Sequence, residues 1–122
     1  MLDKINEISG AELEIMKILW ANGKPMNAQQ VCDGLVSREW TYSTISTLFG
    51  RMVEKGAVSY EKIGRFYYYS PTVLEEEYKQ AQTKKFVSKL YNGSVKSLAV
   101  SLFKAGDLTK EDIEEIKELF NL

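Results

Sequence analysis

Apolar residues recur first at helical spacing, then at strand spacing, then at helical spacing again, and the two changes of period divide the chain. Ser9 with Glu12 makes an S-x-x-E capping pattern. Leu13, Met16, Leu19 and Trp20 follow as an apolar stripe, with Ile15 beside it. Ala21, Asn22 and Gly23 end this first helix, Pro25 forbids its continuation, and residues 24–26 read as a very short edge strand. Asn27 caps a second helix running to about Val36, with Ala28, Val31 and Leu35 inward and Gln29 and Asp33 outward. Residues 37–40 lead to a third helix capped by Thr41. Its Ile45, Leu48, Phe49 and Met52 share one face, and Gly56 stops it.

From Ala57 the period becomes two. Residues 57–60 predict a strand, Lys62, Ile63, Gly64 and Arg65 a hairpin tip, and residues 66–69 the return strand, ended by Pro71. Thr72 with Glu75 repeats the capping pattern and opens a long helix to about Tyr91, with Leu74, Tyr78, Ala81, Phe86 and Leu90 apolar. Asn92 and Gly93 stop it. Val95, Leu98, Ala99, Leu102 and Phe103 then mark a helix up to Ala105 and Gly106, and Thr109 caps a last one bearing Ile113, Ile116, Leu119 and Phe120. The predicted class is mainly α, an α+β winged helix-turn-helix at residues 1–71 followed by three helices at residues 72–122. No internal repeat, low-complexity segment or flexible linker interrupts it.

Two helices joined by a short turn, with a hairpin after the second, fit a helix-turn-helix with a wing. Opposite its apolar stripe, the third helix carries Ser43, Ser46, Thr47 and Gly50, flanked by Thr44 and Arg51. Small side chains let a backbone come close to a partner, and hydroxyls bond phosphates or base edges. The same pattern on an unassigned amphipathic helix would simply be a solvated face; its place between a turn and a basic-tipped hairpin favours a nucleic-acid contact. Lys62 and Arg65 at the tip suit phosphate or minor-groove contacts. Trp40 reads as core. Tyr67, Tyr68 and Tyr69 are consecutive in a strand, so at least one is exposed or lies against a second subunit.

Three short amphipathic helices are too few to close a core alone. A second copy of the chain is the simplest cover for their apolar faces, which makes Tyr78, Phe86, Leu90, Leu98, Leu102, Phe103, Ile113, Ile116, Leu119 and Phe120 the expected dimerisation residues.

Charge modifies this picture. The 122 residues carry a net charge of −1, so no chain-wide attraction draws the protein to nucleic acid. Residues 38–65 hold five cations (Arg38, Arg51, Lys55, Lys62, Arg65) against Glu39, Glu54 and Glu61. Affinity must then come from a local patch and from pairing of two subunits. The chain has no histidine and one cysteine, Cys32, expected as a partly buried core residue. Histidine-based triads are impossible, a transition-metal site would have to come from carboxylates and one thiol and is not expected, and no catalytic constellation can be named, so no cofactor and no enzyme are expected. A lone thiol, no apolar run of membrane-spanning length and no signal peptide fit a cytoplasmic protein. The competing class is a winged-helix protein-interaction module without specific DNA binding.

ISGAELEIMKILW at residues 8–20, W-T-x-S-T-I-S-T-L at 40–48, R-M-V-E-K-G at 51–56, G-R-x-Y-x-Y-x-P at 64–71 and L-T-K-E-D-I-E-E-I at 108–116 together resemble the BlaI/MecI family of bacterial repressors of penicillinase and methicillin-resistance genes. The resemblance implies a homodimer with an N-terminal winged helix and a C-terminal dimerisation region, blocking transcription from an inverted repeat with TACA/TGTA-type half-sites. It implies DNA contacts from Ser43, Thr44, Ser46, Thr47 and Arg51, and wing contacts from Lys62, Gly64 and Arg65. Ser43 and Ser46 stand where resistance-type members often carry longer basic residues, which bears on operator choice. Those members are inactivated by cleavage of an Asn–Phe bond. The aligned pair here is Ser101–Leu102, so the apolar helix is kept and the scissile pair is not. Ser101 and Leu102 are the candidate cleavage region, and a sensor protease the candidate partner there. Copper-responsive relatives end in a cysteine-rich motif; ELFNL at 118–122 has none, which removes that route to Cu(I).

Overall fold

The computed structural model describes residues 7–35 and 39–119. Val36, Ser37, Arg38, Phe120 and the Leu119 side chain, all used above, lie outside what it describes. The chain forms two compact units, Met1–Lys79 and Gln80–Leu122. The described elements are α1 (Gly10–Asn22), α2 (Ala28–Gly34), α3 (Tyr42–Glu54), β1 (Val58–Ile63), β2 (Phe66–Pro71), α4 (Glu75–Tyr91), α5 (Val95–Lys104) and α6 (Lys110–Leu119).

Local chemistry sets the helix starts. The Ser9 hydroxyl accepts from the Glu12 amide at 3.2 Å while the Glu12 carboxylate accepts from the Ser9 amide at 2.9 Å, closing the capping box. Asn27 and Gln30 make a second box at the start of α2, with both bonds at 2.9 Å. Thr41 caps α3 through the Thr44 amide at 3.2 Å. Gly23 at φ 72° provides the left-handed residue that ends α1.

Ile15, Met16 and Leu19 of α1 meet Val31 of α2 and the fully covered stripe Ile45, Phe49 and Met52 of α3. Leu13 and Trp20, expected as members of the α1 stripe, are only half-buried, Ile15, expected beside it, is fully buried, and the inward position one turn before Met16 is taken by Glu12. Cys32 is half-buried, its thiol 3.4 Å from the Trp40 carbonyl.

β1 and β2 pair antiparallel from Val58↔Pro71 to Ile63↔Phe66, leaving only Gly64 and Arg65 as the turn. The four-residue tip expected from sequence is therefore shorter, and Lys62 and Ile63 belong to the strand. Gly64 at φ 64° supplies the positive φ that a two-residue hairpin turn needs. Of the short edge strand expected at residues 24–26 only Met26 pairs, as an isolated bridge exchanging both backbone bonds with Tyr69, at 3.0 and 2.8 Å.

Two expectations at the following helix are corrected. Thr72 does not cap it: α4 begins at Glu75, and the Thr72 hydroxyl donates to the Gly56 carbonyl. Tyr78 is not an exposed dimerisation residue: it is buried against Trp20 with ring centroids 5.6 Å apart. The Trp20 indole also donates to the Val73 carbonyl at 2.9 Å. The composition changes at Thr72, but Val73 and Tyr78 belong to the core of the N-terminal unit, which runs to Lys79.

In the C-terminal unit Val87 is buried, while Phe86, Leu90, Val95, Val100, Leu102, Phe103 and Ile116 are exposed by 39–68%. Ser94 caps α5 and Thr109 caps α6. The Tyr91 and Ser101 hydroxyls lie 3.2 Å apart. The Ser101–Leu102 bond sits inside α5.

Glu12 is 1% exposed and its carboxylate is held by the Lys55 ammonium at 2.5 Å, tying the start of α1 to the end of α3. Burial raises the Glu12 pKa, but the Lys55 and Ser9 hydrogen bonds outweigh it and hold the group below its ordinary 4.5. The stabilisation it contributes is thus fully present above pH 4.5 and is lost as pH falls through the lowered value. Lys55→Met leaves the carboxylate buried beside the Ser9 amide alone, and urea denaturation at pH 7 should read a loss of about 3 kcal/mol. Glu12→Gln should flatten the acid limb of the stability curve below pH 4.5; an unchanged limb would mean that other carboxylates set it.

Candidate nucleic-acid interface

With Ile45, Leu48, Phe49 and Met52 turned into the core, α3 exposes Ser43, Thr44, Thr47, Gly50 and Arg51, while Ser46 is half-buried. The hydroxyls are not equivalent. Thr44 Oγ1 lies 3.1 Å from Thr41 Oγ1, and Thr47 donates to the Ser43 carbonyl at 3.0 Å, so Thr47 offers its lone pairs rather than its proton. A Cβ built at Gly50 meets nothing within 4 Å, so the fold does not itself require glycine there.

The cations sort by role. Lys55 is engaged with Glu12 and the Glu7 carbonyl and is structural. Arg51, Lys62 and Arg65 are exposed and make no ion pair among the described residues. Arg51 stands on α3 and the other two at the hairpin end, with Gly64 between them in the turn. The recognition-helix and wing residues expected from sequence therefore all lie on α3 and the hairpin tip of one compact unit.

What joins the two elements is an aromatic stack. The Tyr69 ring lies on Phe49 with centroids 3.8 Å apart and planes 3° from parallel. Both backbone groups of Tyr69 point to Met26, so Tyr60↔Tyr69 is a non-hydrogen-bonded pair, the kind that brings side chains closest. Tyr60 accordingly meets Tyr69 at 6.1 Å and Tyr67 edge-on at 5.3 Å. Lys62 sits 5.6 Å over the Tyr67 ring. Strand alternation turns Glu61, Ile63 and Tyr68 to the other face; together with Pro25 and Tyr60 they line a pocket of about 490 Å³. Sequence reading missed Tyr42 and Tyr60 as members of this surface. Alternation alone would have put Tyr60 on the face of Lys62, but only the register puts both beside Tyr67 and Tyr69.

A helix-turn-helix whose second helix presents hydroxyls and a free arginine, with a wing stacked onto that helix, defines a winged-helix DNA-binding protein. A model of the penicillinase repressor family matches residues 8–121. The penicillinase repressor of Bacillus licheniformis is 32% identical over 119 residues, 97% of this chain and 92% of that protein. The methicillin resistance regulatory protein MecI of Mammaliicoccus sciuri is 33% identical over 122 residues, 99% of this chain and 98% of that protein. The solution structure of the DNA-binding domain of the repressor BlaI is similar with a TM-score of 0.52 at 37% identity, over 59% of this chain and 88% of that one. The chain belongs to the penicillinase repressor family, and its class is that of transcriptional repressors, not enzymes.

Removing the stack tests how far the wing depends on α3. Tyr69→Ala should cost about 3 kcal/mol in thermal or urea unfolding. Tyr68→Ala, on the opposite face, should cost clearly less; equal losses would mean that the stack has no special part in the core.

Proposed function

We propose that this protein is a homodimeric cytoplasmic repressor that binds an inverted-repeat operator, reading bases with α3 and holding the backbone with the wing. The observation that carries the reading is the outer face of α3. Ser43, Thr47, Gly50 and Arg51 share it, no neighbour within 4 Å demands glycine at position 50, Arg51 makes no ion pair among the described residues, and the wing cations stand on the same unit. Ser43, Thr44, Ser46, Thr47 and Arg51 are assigned to the major groove and its phosphates, and Lys62, Gly64 and Arg65 to the flanking backbone. Half-sites of the TACA/TGTA type are the first to try. No helix among the described residues is long and apolar enough to cross a membrane.

Dimerisation is assigned to the C-terminal unit, where Phe86, Leu90, Leu102, Phe103 and Ile116 stay exposed and lack a partner surface of their own. Leu98 and Ile113 are partly buried and border that set. Two subunits also double the few free cations, which a chain of net charge −1 needs for useful affinity. Release through cleavage at Ser101–Leu102 by a sensor protease requires α5 to open locally, because the bond lies within the helix.

An operator selected from random duplexes with the intact protein should be two-fold symmetric and bind two subunits. Arg51→Ala should weaken that binding by about 2 kcal/mol, near thirtyfold, in fluorescence anisotropy. An unaltered Kd would remove Arg51 from the interface. The double variant Leu90→Glu/Phe103→Glu should sediment as a monomer with the N-terminal unit still folded. If it remains a dimer, the interface lies elsewhere.

A further inference from the structure

The hairpin face directed at α3 carries an aromatic cluster that the contacts assigned above do not use. Tyr42, the first residue of α3, is 48% exposed; Tyr60 and Tyr67 are 54% and 44% exposed. The Tyr60 ring meets both Tyr67 and Tyr69, and Tyr69 is anchored on Phe49. Burial, and then the electrostatic influence of Tyr42, Tyr67 and Tyr60, push the Tyr69 hydroxyl above its usual pKa of 10.0. Three half-exposed rings on a soluble surface are an apolar liability unless something covers them. The surface is nonetheless suited to an anion. Each ring ends in a phenolic donor, Lys62 stands among them, and Glu61 is turned to the opposite face. Tyr42 is also the first residue of the helix that holds Ser43 and Arg51.

We propose that Tyr42, Tyr60 and Tyr67 form a rigid phenolic platform that donates hydrogen bonds to phosphates of the DNA strand lying between the recognition helix and the wing. The proposal rests on the DNA-binding reading and adds to it the group that holds the backbone beside α3. Phenols are neutral, so they release no counterions when they meet a phosphate. That suits a chain whose cation excess near the site is small. It also gives a signature: these contacts contribute affinity at every salt concentration and leave the salt dependence alone, whereas Lys62 contributes to the slope. Tyr60 is held against Tyr67 and Tyr69, and Tyr69 against Phe49, so these rings lose little side-chain freedom on binding.

The test uses the full-length protein and an operator selected with it, read by fluorescence anisotropy across a salt series. Tyr60→Phe/Tyr67→Phe keeps both rings and removes only the hydroxyls. The proposal expects about a tenfold rise in Kd at every salt concentration, an unchanged slope of log Kd against log salt, and an unchanged Tm. Tyr42→Phe alone should show a smaller loss of the same kind. Tyr68→Phe, on the opposite face, should bind as the unsubstituted protein, and Lys62→Ala should lower the slope by about one. Specific binding by the unsubstituted protein with no loss in the phenylalanine variants would overturn the platform and leave the repressor reading standing. Failure of the unsubstituted protein to prefer any duplex would overturn both. A matching fall in Tm would assign the hydroxyls to folding and overturn the platform as well.

Discussion

The parallel stack of Tyr69 on Phe49 is the contact on which the site depends. Phe49 belongs to the buried stripe of α3 and Tyr69 to the return strand of the hairpin, so one pair of rings fixes the wing against the helix. A two-stranded hairpin is marginal by itself in water. Here it is secured by the stack, by the Met26 bridge on its outer edge and by the Thr72 hydroxyl on the Gly56 carbonyl at its base. The same arrangement decides which residues are left over. Because α3 commits Ile45, Leu48, Phe49 and Met52 to the core, its remaining face is short, hydroxylated and cationic at one point, Arg51.

Charge is apportioned with little waste. Of the basic residues near the site, Lys55 is spent on the buried Glu12 carboxylate and stabilises the junction of α1 with α3. Arg51, Lys62 and Arg65 make no ion pair among the described residues, while Glu61 is turned to the other face of the hairpin by strand alternation. A protein of nearly neutral charge can then carry a cationic surface only where it is needed. That surface is small, so the proposed pairing of two subunits and the proposed phenolic donors would both add to what few cations supply.

Much of this was legible in the sequence, and the reasons for the exceptions are specific. Helical periodicity identified the four buried residues of α3, because the 3.6-residue repeat acts within one element. The Ser9–Glu12 box formed as read. The Thr72–Glu75 pattern matched the same rule, yet the Thr72 hydroxyl found the Gly56 carbonyl, a tertiary partner that no local pattern encodes. Tyr78 sat at a plausible amphipathic position, but the start of α4 packs on Trp20, so its ring joined the N-terminal core. The Glu12–Lys55 pair links residues 43 apart and leaves no signal in either neighbourhood. Strand pairing was visible and register was not: period two puts Tyr60 on one face or the other, while only the two-residue turn at Gly64–Arg65 sets it beside Tyr67 and Tyr69. The family resemblance included Tyr67 and Tyr69 within G-R-x-Y-x-Y-x-P, but not Tyr60, which the register sets beside them.

Amide hydrogen exchange of the full-length protein, with and without a selected operator duplex, tests the central claim most directly. The account predicts slowed exchange in two segments together, the N-terminal half of α3 and the hairpin around Lys62 and Arg65, because the Phe49–Tyr69 stack makes them one surface. Protection confined to the C-terminal helices, or in neither segment, would contradict it.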